Sequence, residues 1–130
     1  MSVKISNLKP VFDCPATLYL PADGGAVVAH AYSVQFKRLT TTERDALSKR
    51  FAAGEITQRE LLDTVVCGWG GMHDEHGNAV SYSHAERVAT DDVYAGLEQS
   101  MAVAWFDHAY MNQREAAVKN SKAPSGTTTV

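Results

Sequence analysis

His73 and His76 flank Asp74 and Glu75 in a glycine-rich stretch, with Cys67 a short way upstream. Imidazole, carboxylate and thiolate groups bind zinc, but a site needs three or four of them converging at about 2.0–2.3 Å. A His-x-x-His spacing offers two at most, and a solvated loop accounts for the same residues. The EF-hand pattern is missing its ladder of Asp and Asn ligands and its closing Glu. Cys14 and Cys67 are the only cysteines, and neither belongs to a Cys-x-x-Cys pair. His30 lies on the apolar face of a strand candidate and His108 in an apolar helical stripe, so both read as half-buried packing residues rather than ligands. No Ser-His-Asp grouping has a local signature. Gly68, Gly70 and Gly71 follow a helix rather than a strand, so they do not form a phosphate loop. Basic residues are not interleaved with aromatics as a nucleic-acid face requires. These residues predict no catalytic centre, no metal and no cofactor.

The elements that would carry these residues are of both kinds. The alternation of Val28, His30, Tyr32, Val34 and Phe36 with polar neighbours predicts a strand over residues 26–38. A shorter strand is expected at 17–20. The Pro21-Ala22-Asp23-Gly24-Gly25 run between them supplies the turn of a β-hairpin. Three capping boxes follow, at Thr40/Glu43, Thr57/Glu60 and Ser83/Glu86, each opening a helix. Leu61, Leu62, Val65, Val66 and Trp69 then share one helical face, which the glycines 68, 70 and 71 end. Trp69 is expected to fold back onto the hairpin. Residues 72–80 read as a loop with a tight turn at Gly77-Asn78. Thr90 or Asp91 is expected to cap the last and longest helix, running to about residue 117. The predicted architecture is therefore α+β, an N-terminal hairpin followed by about four helices. Residues 1–118 are expected to form one domain and 119–130 a disordered tail.

The chain of 130 residues is 45% hydrophobic and 21% charged, with net charge −3. One domain of this size buries roughly two-thirds of its unfolded surface. Residues 37–60 carry six basic groups against four acids, whereas 74–98 carry six acids against Arg87 alone. That asymmetry can orient a partner or a second copy, although a solvated surface explains it more simply. Residues 1–9 lack the apolar core of a signal peptide. No apolar run approaches the ~20 residues of a membrane span. A cytosolic protein with reduced thiols is expected.

The last helix carries apolar residues on two sides. Tyr94, Leu97, Met101, Trp105 and His108 form the stripe assigned to the core. Val103, Phe106 and Tyr110 lie on the other side and are predicted to face a protein partner.

Across residues 28–112 the chain resembles a known family. The residues that carry the likeness are Phe36 to Thr40 with Glu43-Arg44, Gly54 to Thr57 with 62–66, and then Gly68-Trp69-Gly70-Gly71, Asp74-Glu75, Gly77-Asn78 and Tyr82-Ser83. Together they are similar to the tail-assembly chaperones of long-tailed phages and prophages. The resemblance implies a non-enzymatic protein of the host cytoplasm that shields the tape measure protein during tail assembly and is absent from the mature virion. It implies the tape measure protein as partner, with the tail tube protein and a second copy of the chain as further candidates, and neither nucleic acid nor membrane. The alternatives are a small structural or completion protein retained in the virion and, less favoured, a small metal-binding protein using His73, His76 and Cys67.

Overall fold

Asp23, Gly24 and Gly25 reverse the chain between two long strands, with Gly24 at φ 74°, a backbone conformation glycine adopts without a Cβ clash. In the computed structural model, which describes residues 10–109, strand β1 (Val11–Pro21) pairs antiparallel with β2 (Val27–Lys37) along its whole length, from Val11↔Lys37 to Pro21↔Val27. β1 begins well before the expected residue 17 and runs through Pro15. It is an edge strand, where a missing N–H can face away from the ladder. The expected alternation holds in the half of the hairpin nearest the helices. Tyr32, Val34 and Phe36 are buried, as are Ala16 and Cys14 opposite Tyr32 and Val34, and Leu18 further along the same face. In the outer half the same face runs out into solvent, and His30 is exposed rather than half-buried.

Helix α1 (Thr41–Ala52) and helix α2 (Gln58–Val65) each open with a complete capping box, built on Thr40/Glu43 and Thr57/Glu60. Leu61, Leu62 and Val65 of α2 are fully buried. The helix stops there, earlier than the apolar period predicts. Val66–Gly70 form strand β3, which pairs with β2 through Val34↔Trp69 and Gln35↔Gly68. Val66 and Trp69 suit a strand, and Gly68 and Gly70 make a further helical turn costly, so the segment gains more by pairing with the hairpin's open edge. The hairpin is thus extended to a three-stranded antiparallel sheet in the order β1-β2-β3, and with four described helices the chain is α+β.

Helix α3 (His84–Val93) starts at Ser83, whose Oγ accepts the Glu86 N–H at 3.0 Å. The single long final helix does not form. The chain breaks after Val93, and Gly96 takes φ 100°. Helix α4 (Leu97–Ala104) then begins and widens into a π turn at Trp105–Ala109. Asp91 of α3 caps α4 from outside, its Oδ1 accepting the Glu98 N–H at 3.0 Å. α1, at 12 residues, is the longest described helix. The expected continuation to residue 117 and the tail at 119–130 lie outside the described residues. One core unites the sheet face with α2 and α4, and Trp105, Phe36, Leu61, Leu62, Leu97 and Met101 are among its fully buried apolar members.

Gly96 distinguishes the broken helix from a continuous one. In an uninterrupted helix, Gly96→Ala would stabilise the protein by about 1 kcal/mol. At positive φ an added Cβ is strained, and the substitution should instead cost about 1–2 kcal/mol in urea unfolding. A raised midpoint would mean that α3 and α4 are one helix in solution.

Candidate protein-binding surface

The packing of α3 rests on one buried cation. Arg87 is 0% exposed. Its Nε donates to Glu98 Oε2 at 2.8 Å and one Nη to the Tyr82 hydroxyl at 2.8 Å, and its other Nη pairs with Asp63. Glu98, itself 3% exposed, also accepts from Arg59 Nε at 2.9 Å. His84 Nδ1 lies 3.0 Å from Asp63 Oδ1. Burial pulls the Arg87 guanidinium down, but the hydrogen bonds to Asp63 and Glu98 outweigh it and hold its pKa above the ordinary value. The cluster therefore ties α2, α3, α4 and the loop before α3 into one arrangement. Each carboxylate of the cluster faces a cation.

The loop residues that suggested metal binding are used structurally. Asp74 Oδ1 accepts the His76 and Asn78 amides, each at 2.9 Å, closing a turn with Gly77. The bonds from Asn78 and His76 hold the Asp74 carboxyl below its usual range. His73 bridges to Ala79, and Val80 N–H returns to Met72 O at 2.9 Å. Cys67 sits on β3 with an exposed thiol. Among the described residues no three His, Cys, Asp or Glu side chains are grouped to hold a metal ion. Trp69, half-buried, donates its indole N–H to Val80 O at 2.8 Å and meets the Tyr82 ring edge-on at 5.1 Å. It packs onto the hairpin core through its place opposite Val34.

The predicted binding face of α4 is only partly as expected. Val103 is 52% exposed. Phe106 does not face outward. It is half-buried, with its ring 5.8 Å from Phe51 of α1 and 5.0 Å from Trp105. Tyr110 lies outside the described residues. Of the stripe assigned to the core, Leu97, Met101 and Trp105 are buried, but Tyr94 is 49% exposed and His108 is exposed. The physical reason is phase. The break at Gly96 uncouples residue 94 from the turns that follow, and the π turn rotates 106 and 108 away from their places in a regular helix.

Large exposed apolar side chains lie instead on the outer half of the hairpin (Tyr19, Val27, Val28) and at the α3–α4 corner (Val93, Tyr94). Between hairpin and corner runs a cleft. Leu20, Trp69, Met72 and Tyr94 contribute apolar lining, and Asp74, Glu75 and Glu86 line it with carboxylates. One sign of this is legible in the residues: the inward period of β2 continues through His30 and Val28 past the reach of the helices. No family model, no curated protein and no solved structure matches the chain. No helix among the described residues is long and apolar enough to cross a membrane.

Two measurements test this packing. Arg87→Met removes the buried cation that Glu98 and Asp63 share, leaving buried Glu98 only the half-exposed Arg59, and should cost about 3–5 kcal/mol, whereas Arg59→Met, which leaves Glu98 its bond to Arg87, should cost clearly less in the same urea titration. Equal losses would mean that Arg87 is solvated. Tyr32, buried against α4, contacts Ser100, whose Oγ donates to Leu97 O at 2.6 Å. Burial pushes the Tyr32 phenol from 10.0 up to about 12. A raised folded-state pKa gives stability that is complete below the unfolded value and is lost as pH rises from 10 toward about 12. Tyr32→Phe should remove part of that alkaline slope. The Tyr82 phenol, also raised by burial, keeps the remainder. An unchanged slope would place Tyr32 in water.

Proposed function

We propose that the chain is a tail-assembly chaperone of a long-tailed phage or prophage, a non-enzymatic protein that binds the tape measure protein in the host cytoplasm and is absent from the mature virion. The observation that carries this reading is where the family-like residues fall. Gly68 to Gly71, Asp74-Glu75, Gly77-Asn78 and Tyr82-Ser83 are consecutive parts of one structure. They supply β3, the Asp74-closed turn, the Trp69–Tyr82 stack and the cap of α3. That structure walls the apolar cleft. A domain of this size that leaves Val28, Val93, Tyr94 and Val103 in solvent presents surface of the kind that partner proteins cover. Shielding an aggregation-prone client requires such surface and no reactive group.

The test is co-expression with a tape measure protein of the phage or prophage that encodes the chain. The tape measure protein should shift from the insoluble to the soluble fraction and co-purify with this chain, and mass spectrometry of finished particles should not find the chain. An insoluble tape measure protein, or the chain retained in particles at stoichiometric level, overturns the reading, and the second result favours a structural tail protein.

A further inference from the structure

The sheet is longer on one side of β2 than on the other. β1 pairs with all of β2, but β3 pairs only from Ser33 to Phe36. Gly71 then comes up against the Tyr32 backbone and leaves the sheet. Beyond it, residues 27–31 of β2 have no strand on that edge among the described residues. Backbone groups on such an edge can accept an added strand.

The surroundings of this edge state what the added strand would carry. Leu20 and Val28 are paired on the face that continues the core, and Val28 is 44% exposed. His30 and Tyr94 line the same cleft. Alternate residues of an added strand would fall on this apolar face. Asp74, Glu75 and Glu86 also line the cleft, and none of them is in an ion pair among the described residues. The Asp74 carboxylate is held ionised by its amide donors. Charge complementarity therefore calls for lysine or arginine. The strands of a second copy answer this poorly: β1 has no Lys or Arg, and β2 has only Lys37 at its far end.

We propose that this cleft captures an extended segment of a partner protein, one whose cleft-facing residues, every second along the strand, include both apolar side chains and lysine or arginine; it pairs its backbone with the open edge of β2 and sets its cations against Asp74, Glu75 and Glu86. The proposal rests on the protein-binding reading but not on the identity of the client, so it can fail or hold whatever becomes of the tape measure protein.

The probe is a short synthetic peptide in which valine and lysine take turns at every second position, with threonine between them, so that both face the cleft; it is titrated into the full chain and followed by tryptophan fluorescence and amide hydrogen exchange. Two control peptides replace every lysine with glutamate, or a central valine with proline. The lysine peptide should bind and slow exchange at residues 27–31. The glutamate peptide should bind at least about tenfold more weakly, a difference of about 1.4 kcal/mol. The proline peptide, lacking a donor in mid-strand, should also bind weakly. In the protein, Val28→Lys and the double change Glu75→Lys with Glu86→Lys should each weaken the lysine peptide about tenfold. Glu75 and Glu86 are exposed, so the double variant should melt only a few degrees below the parent, through the cation it places in the first turn of α3, and keeps the test valid should Val28→Lys impair folding. Equal binding of the glutamate peptide, equal binding of the proline peptide, or indifference to the double variant overturns the proposal. So does a concentration-dependent dimer that buries residues 27–31 and excludes the peptide.

Discussion

A guanidinium with no exposure to water has to be answered on every side, and Arg87 is answered by three different parts of the chain. Desolvating an ion costs several kcal/mol, which is recovered only when geometry and hydrogen bonding are nearly complete. The Glu98 carboxylate, the Asp63 carboxylate and the Tyr82 hydroxyl provide this, so α2, α4 and the approach to α3 can meet in few ways other than the one seen. Purely apolar packing would tolerate sliding of these short helices over one another. Arg59 and Asp91 extend the same network outward, and Asp91 also caps α4. The break at Gly96 and the cluster are therefore two aspects of one constraint: the chain must turn between Asp91 and Glu98 for both to reach their partners.

That constraint decides what the surface displays. With α4 held across the sheet by Leu97, Met101 and Trp105, the helices cover the near half of the hairpin and stop. The outer half, Val28 and His30 included, projects past them, and the corner holding Tyr94 faces it across the cleft. The exposed apolar surface is thus a consequence of a short α4 under a long hairpin.

What could be read from the residues was what is decided locally. The capping boxes at Thr40 and Thr57, the cap at Ser83 and the alternation of Tyr32, Val34 and Phe36 depend on neighbours within a few positions, and all are present. β3 was hidden because Leu61, Leu62, Val65, Val66 and Trp69 satisfy a helical period, while the strand depends on pairing with a partner some thirty residues away. Arg87 stood out only as a lone base among acids, a pattern that also describes a solvated surface. Phe106 does not take the outward place a regular helix would give it, because the chain departs from that helix at Gly96 and again from Trp105, and each departure changes which side a residue faces. Val103, close to the middle of α4, keeps its phase and is exposed as expected.

The proline in β1 gives the two sides of the hairpin different histories during folding. The hairpin is joined by a short turn and can form early, whereas β3 must wait for α1 and α2 to close the loop between its residues and β2. Until then both edges of the ribbon stand open. On β1, Pro15 offers no amide proton to a stray strand, and Pro21 ends the strand in the same way. β2 has no proline anywhere along its length. A nascent chain therefore offers an uninterrupted row of backbone donors on one side of the ribbon only, the side that β3 will cover only in part.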